Sequence, residues 1–517
     1  MQLTIKRFCL ILVCGAMLAV SGCSKFLEEE DPSTLTPDNF YTLPEHADAA
    51  VAAIYANLRF IGNGTGIFSN NYQLLEAPTG TTTSETGQNS DLNNLINLAY
   101  NPDNLHVRQW WQNLYLNIAN CNQAIEKIPG IPTFTTTDED LKKKCLGEAR
   151  FLRALHYFWL VRLWGDVPMV TRQIQSNKDP ELYPKRASQD SIYSLIVSDL
   201  TAAETAGLPQ TDASGRASLN AVKSLLASVY LTMAGEPLKK AGYYRLAADK
   251  AKEVIDNGSH QLFASYDALH DPKIKNTGEL IFEVQYAQGI VNNPFQESML
   301  PNFGGISAYG TQVGSTIPTE AFYDSYEAGD KRVQEQQFFY TAYYTDGNGA
   351  LKQLNKPYIF KHFDKVANGT QGTKGTSQSG MNWTLMRYAE VLLIYAEAQN
   401  EADGAPNTQA IAALKAIRDR AGLTTAATFT QADFRLAVWR ERWHELCYEG
   451  KTWFDMVRLR KAYNETTNNF DNFVGHKFNY GTANAPTLQE KHLLFPLPTL
   501  EYNNNPNLRP QNPGYVQ

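Results

Sequence analysis

Cysteine is scarce in this chain, with six in 517 residues, and three of them, Cys9, Cys14 and Cys23, crowd the first 23 positions. The remaining Cys121, Cys145 and Cys447 are odd in number, so no disulfide framework is implied. Helices facing each other across a turn near Thr133 could bring Cys121 and Cys145 together. Each thiol nevertheless lies in an apolar helical pattern, the usual setting of a buried free cysteine. Positive charge is also short: 46 lysines and arginines stand against 53 acidic residues, with no basic stripe, which argues against a nucleic-acid partner. Beyond the first 20 residues no apolar run is long enough to span a membrane. Catalytic signatures are missing too. His444-Glu445 opens like a zinc-protease motif, but Tyr448 stands where the second histidine belongs. Residues 375–379 (GTSQS) lack the closing glycine of a nucleophile elbow. Residues 62–66 (NGTG preceded by glycine) have neither the spacing nor the preceding strand of a dinucleotide loop. No Asp-rich calcium loop occurs. The expectation is therefore a protein without catalytic residues, metal or cofactor.

What is present starts with a leader. Lys6 and Arg7 precede a thirteen-residue apolar stretch, and Val20-Ser21-Gly22 ends it with small residues before Cys23. That is a secretory signal over residues 1–22, too short to cross a bilayer. Small residues followed directly by cysteine resemble the lipobox of bacterial lipoproteins, in which cleavage leaves the cysteine as a lipidated N-terminus. Several acyl chains on Cys23 would anchor the protein, since one alone binds marginally. Losing Lys6 and Arg7 shifts the net charge from −7 to −9. Residues 23–43, with Glu28-Glu29-Glu30-Asp31 followed by Pro32 and Pro37, read as a solvated tether.

Residues 44–517 form the body. The stretch 147–171 (GEARFLRALHYFWLVRLWGDVPMVT) organises it. Leu152, Leu155, Trp159 and Leu163 recur at helical spacing in a segment apolar nearly all round, which predicts a buried helix stopped at Gly165. Other helices are expected over 44–60, 105–128, 138–164 with Thr137 or Asp138 as N-cap, 191–206, 219–233, 243–257, 386–401, 408–421 and 431–460, the last broken near Gly450. Two pairs fit a degenerate tetratricopeptide pattern. Leu226, Ala227 and Tyr230 precede Tyr244, Ala247 and Ala251 in one, and Ala410, Leu414 and Ile417 close the other. Two segments break the helical rhythm: 61–104, rich in Gly, Asn and Thr, and 258–380, which mixes Gly, Asn and Pro with aromatics. Within the second, 279–286 (ELIFEVQY) alternates like a short strand and 318–327 starts like a short helix. Long loops of this kind are commonly functional or disordered. The tail from Thr467 reads as loop ending in proline-punctuated extended segments.

Glu441, Glu445 and Glu449 alternate with Arg440 and Arg442 at helical spacing. This is either a polar binding face or a set of intrahelical pairs with links to neighbouring helices, and the interleaving of opposite charges favours the second. The eight tryptophans fall mostly in helical patterns and read as core. The loop tyrosines and phenylalanines are better ligand candidates, because sugar rings pack C–H faces on aromatic rings while their hydroxyls need amide and carboxylate partners.

Several long motifs occur in order: EARFLRALHYFWLVRLWGDVP at 148–168, GRASLNAVKSLLASVYL at 215–231, LMRYAEVLLIYAEAQNE at 385–401 with IRDRAGL at 417–423, ERWHELCYEGKTWFDMVR at 441–458 and LFPLPTLEYNNNPNLRPQNPGY at 494–515. With the Cys23 lipobox they resemble the SusD/RagB family of outer-membrane nutrient-binding lipoproteins, across essentially the whole mature chain. The resemblance implies a mainly α, SusD-like fold, with tetratricopeptide-like hairpins packed against an irregular ligand-binding region containing short β-strands. It implies a non-catalytic protein, anchored in the outer membrane and facing outward, that captures oligosaccharides for a SusC-like TonB-dependent transporter barrel. A peptide ligand, or a protein-interaction scaffold of tetratricopeptide type, is the alternative. The shared motifs are scaffold, so no binding residue carries over. The loops nominate Tyr72, Glu85, Asn89 and Tyr100 from the first irregular segment, and Phe303 and Tyr309 from the second.

Overall fold

The computed structural model describes residues 40–64, 70–87, 89–174, 181–302, 304–344, 349–482 and 484–516. The leader, Cys23, most of the tether and Phe303 lie outside these residues. Helices begin where the sequence offers a polar cap. After α1 (Pro44–Asn57), the pair β1 (Thr82–Thr83) and the short α2 (Ser90–Ile96), Asn104 accepts the N–H groups of His106 and Val107 to start α3 (Leu105–Lys127). The cap of α4 (Thr136–Trp164) is Thr135, earlier than expected. Its hydroxyl accepts from Asp138 N–H at 3.2 Å while the Asp138 carboxylate accepts Thr135 N–H at 2.9 Å, a reciprocal capping box. Ser188 starts α5 (Gln189–Glu204), Ser218 starts α6 (Leu219–Ala234), and α7 (Tyr243–Asp256) follows.

The irregular insertion then carries β2 (Leu280–Val284), β3 (Ile317–Pro318), α8 (Glu320–Asp324) and the hairpin β4 (Phe339–Tyr344) with β5 (Leu351–Ile359). β6 (Trp383–Arg387) returns antiparallel to β2 and runs straight into α9 (Tyr388–Asp403). Last come α10 (Thr408–Arg420), α11 (Gln431–Glu445), α12 (Thr452–Leu459) and a hairpin of β7 (Lys461–Asn464) and β8 (Asn469–Asn472). The predicted helix over 431–460 is thus two, separated where Tyr448 and Gly450 both take positive φ. β7 begins just after the end of the expected helix, and its partner β8 stands in the tail expected as loop.

The mainly α expectation holds. α3 packs on α4, α4 on α5, α5 on α6 and α6 on α7, and the run continues from α7 directly to α9 and on to α10 and α11. α7 and α9 are neighbours in space although more than a hundred residues separate them. At the centre of the run, every residue of α4 from Phe151 to Val161 is buried. Two polar members survive there by pairing. Arg153 forms two 2.7 Å bonds to Asp199 of α5, and His156 Nδ1 lies 2.5 Å from Leu152 O. A Cβ on Gly147 would come within 2.4 Å of Ala206 Cβ, so the close approach of α4 to the end of α5 needs glycine. Cys121, Cys145 and Cys447 are free and buried. No helix among the described residues is long and apolar enough to cross a membrane.

The first irregular segment departs from the expectation of a long functional or disordered loop. Residues 70–82 are buried without exception. Side chains satisfy their backbone in place of a ladder: Asn70 and Asn71 donate to Gly62 O and Phe60 O at 2.7 and 2.8 Å, and Trp110 Nε1 donates to Asn71 O at 2.6 Å. This explains how an Asn- and Thr-rich sequence enters a core.

The charged ladder that runs from α11 into the following turn is not a binding face: the expected links to a neighbouring helix are there, from Arg418 and Arg420 of α10, and pairs to the insertion stand in place of intrahelical ones. Glu441, Glu445 and Glu449 are buried, and their partners come from elsewhere in the chain. Arg387 reaches Glu279, Glu445 and Glu449 at 2.7, 2.8 and 2.9 Å. Arg420 pairs with Glu445 at 2.7 Å and Glu279 at 2.5 Å, Arg332 with Glu441 and Asp330 at 2.7 Å, and Lys361 with Glu449 at 2.5 Å. Burial alone would raise these carboxyls. The surrounding arginines overcome it and hold Glu445 and Glu449 down to about 2. The network joins the insertion to α10 and α11.

Candidate functional site

The insertion has its own small core. Leu300, Ile306, Ile317, Tyr340, Tyr343, Tyr358, Phe360 and Phe363 cluster apart from the main core, with Tyr309 and Leu354 half-buried at the edge. Phe360 and Phe363 stack at 4.8 Å, and Tyr340 packs against Tyr358 and Phe363 at 5.7 and 5.4 Å. These rings fix the β4–β5 hairpin, in which Tyr340 lies opposite Tyr358.

The first irregular segment is stitched to this unit. β1 pairs with β3, Thr82 opposite Pro318. Just beyond, Glu85 N–H donates to Gly314 O at 2.8 Å, and the Glu85 carboxylate accepts Tyr358 Oη–H at 2.7 Å and Asn302 N–H at 2.8 Å. Lys356 Nζ stands 3.5 Å away. A Cβ on Gly314, whose φ is +54°, would lie 2.3 Å from Glu85 Oε2, so this junction requires glycine. Burial, reinforced by the Glu85 carboxylate, pushes the Tyr358 hydroxyl well above the usual tyrosine range, which keeps it a donor.

Beside this junction opens a cleft of about 470 Å³, walled by Thr83, Pro318, Glu320, Asp324, Lys356 and Tyr480. A second lobe of about 560 Å³ adjoins it over the β7–β8 hairpin, with Asn464, Glu465, Thr467 and His476 in its wall. Asn479, Tyr480 and Gly481 belong to both lobes. The Tyr480 ring is braced on Phe478 at 5.7 Å, and its hydroxyl donates to Ile96 O at the end of α2, 3.4 Å away. Burial pushes the Glu465 carboxyl up to about 7, with nearby Asp471 adding to the rise. The arrangement offers hydroxyls, amides, carboxylates and an ammonium around one braced ring, in a space wide enough for a chain of polar rings. By contrast, the cavity of about 50 Å³ between Trp110, Trp159 and Trp383 has room for little more than a water or two.

Of the residues nominated from sequence, Glu85 and Tyr309 belong to the junction and to the edge of the small core. Asn89 is half-buried and caps α2 by accepting Leu92 N–H at 3.0 Å. Tyr72 and Tyr100 are corrected. Tyr72 is 1% exposed, packed on Phe295 and Trp383 and bonded to Ser298 Oγ and Thr316 Oγ1 at 2.8 and 2.9 Å. Tyr100 is 3% exposed against Phe495. Neither offers a ring face to a ligand, because the segment that carries them runs through the core. Phe303 lies outside the described residues. Sequence reasoning missed Lys356, Tyr358, Glu320, Asp324, Asn479 and Tyr480. The Asn, Tyr and Gly content that drew attention to 61–104 recurs at 476–482 and could have flagged the last two. Among the described residues no group of His, Cys, Asp and Glu could hold a metal ion.

Two family models match the chain: one described as the SusD family over residues 330–515, and one described as starch-binding associating with outer membrane over residues 25–231. A crystal structure of a SusD superfamily protein from Parabacteroides distasonis is similar at 39% identity and a TM-score of 0.85, over 93% of this chain and all of that one. A SusD-like protein of Formosa agariphila is 28% identical over 96% of this chain and 98% of its own. A laminarin-binding SusD-like protein aligns with a TM-score of 0.71, over 92% of this chain and all of that one. Its 23% identity shows the fold alone.

Proposed function

The chain belongs to the SusD family, and from that premise we propose that it is a non-catalytic capture protein for oligosaccharides, delivering them to a SusC-like TonB-dependent transporter barrel. Cys23 would carry the lipid anchor in the outer membrane, with the body facing outward. The observation that supports the reading best is the two-lobed polar cleft braced by Tyr480. Its walls match what a carbohydrate needs, many hydrogen-bonding groups and an aromatic surface, and offer little to an apolar ligand. Glu85 acts as the positioning residue that holds Asn302, Tyr358 and the Gly314 turn together. Asn89 caps α2 and Tyr309 borders the small core, and neither they nor the buried Tyr72 and Tyr100 line the cleft.

The test is a binding screen of the purified chain against starch and laminarin oligosaccharides, other glycans and peptides. Oligosaccharide binding is expected, and Tyr480→Ala is expected to weaken it about three- to tenfold, the worth of one aromatic contact. Binding with no loss in Tyr480→Ala moves the site away from this cleft. If no glycan binds and no barrel co-purifies, the capture reading fails. Peptide binding alone selects the peptide alternative.

A further inference from the structure

A cavity of about 230 Å³ lies between α4, α5, α6, α12 and the C-terminal segment, and it shares no residue with the polar cleft. Arg162 enters its wall from α4. The guanidinium is sandwiched between two rings, its carbon 3.6 Å from the centroids of both Phe158 and Phe454. Nε–H donates to Phe158 O at 2.9 Å. No carboxylate among the described residues pairs with it, whereas Arg153, Arg216, Arg332, Arg387, Arg420, Arg442 and Arg458 all have one. Tyr193, also in the wall, has no hydrogen-bond partner for its hydroxyl among the described residues.

Packing a guanidinium between rings covers its faces and leaves the in-plane N–H groups as the unsatisfied part. That edge is the one a carboxylate grips with two parallel hydrogen bonds. Arg162 is half-buried, Glu390 and Asp455 favour its charge from a distance without bonding to it, and an anion in the cavity would pair with its in-plane N–H edge. The desolvation is strong enough to lower the guanidinium to about 9. Of the other charges in the wall, Arg458 is paired with Glu397 and Asp455, and Glu236 with Lys239. Arg460, Lys491 and Glu490 remain, so cations exceed carboxylates. Val457, Leu493, Leu494 and Pro237 make the rest apolar. Scaled from an engineered cavity of about 150 Å³ that takes benzene, this one holds about nine or ten non-hydrogen atoms.

We propose that this cavity is a second binding site, for a small monocarboxylate with an apolar body, in which Arg162 grips the carboxylate edge-on and Tyr193 donates a further hydrogen bond. The site goes beyond the glycan-capture reading and stands or falls independently of it.

The probes are phenylacetate and its neutral counterpart phenylacetamide, titrated calorimetrically into the full chain. Phenylacetate should bind at least about tenfold more tightly than the amide, the loss expected when a charge-assisted pair is removed. Arg162→Met, which keeps an apolar filling between the rings, should abolish that preference. Val457→Trp should block both probes by filling the cavity with Arg162 intact. In crystals soaked with 4-bromophenylacetate, the anomalous bromine peak should fall between α4, α5 and α12. Equal affinity for acid and amide, no binding of either, a bromine peak elsewhere, or undiminished binding in either folded variant overturns the proposal. Should Arg162→Met fail to fold, the acid-to-amide ratio of the native chain and the Val457→Trp result decide.

Discussion

Glu76 shows how a single buried group couples this fold to pH. Its carboxylate is 1% exposed and takes Gly450 N–H at 2.6 Å, while the second oxygen has no partner. Burial raises it to about 7, and Glu449 nearby adds to the rise against the opposing effects of Gly450 and Lys361. The folded value lies above the unfolded one, so the stability linked to its proton is full below pH 4.5 and is lost as pH rises through 7. Glu76→Gln removes that loss. Urea unfolding should show the variant gaining roughly 1–3 kcal/mol on the native chain between pH 5 and pH 8. The buried histidines act in the opposite sense. Burial lowers His106, His156 and His362 to about 4 and His270 to about 3. The unfolded chain therefore binds more protons between these values and 6.5, and stability falls as pH drops through that window. Denaturation midpoints measured from pH 7 to pH 4.5 should reveal a loss greater than ~3 kcal/mol in total. Neither effect is legible in sequence, where Glu76 sits in an apparent loop and His106 on an ordinary helix.

Among the elements, α4 is the most legible. Its apolar periodicity and its stop at Gly165 read directly, and only the cap was displaced, because Asp138 serves as partner to Thr135 rather than as the cap itself. Thr135→Ala should cost about 1 kcal/mol in thermal or urea unfolding. α11 is legible in spacing and opaque in meaning. Glu441 and Glu445 lie on one face of the helix and Glu449 just past its end, but the cations that answer them sit 23 to 113 residues away in the chain. No local pattern reveals such pairing. Removing one partner strands a charge in the interior, so Arg387→Ala should destabilise by roughly 3–5 kcal/mol in equilibrium unfolding. Exchanging Arg435 and Glu401, whose ion pair is partly exposed, should cost less than about 1 kcal/mol.

For the whole molecule, family and architecture were open to sequence reading because most of the motifs lie in helices, where packing fixes residue type at each turn. The cleft was not, because its walls come from five segments that only the fold assembles: Thr83, Pro318–Asp324, Lys356, Asn464–Thr467 and 476–482. Hydrogen exchange should reflect this division. Bound oligosaccharide is expected to protect amides at 319–324 and 479–482 and to leave α4 and α6 unchanged, since buried core helices open last. Protection confined to the helices would place the ligand elsewhere.

The adjacency of α7 and α9 invites the idea of an interchangeable cassette, with the irregular insertion swapped between relatives while the helices stay. The buried ion network forbids a free exchange. Glu279, Arg332, Lys361 and Arg387 travel with the insertion, whereas Arg420, Glu441, Glu445 and Glu449 belong to the recipient. A chimera whose donor lacks those cations inherits orphaned carboxylates at its centre and fails to fold, whatever its surface loops. Recombination within this lineage must therefore carry both sides of the network or keep breakpoints outside it, and residues buried at the centre decide which surface loops can be inherited.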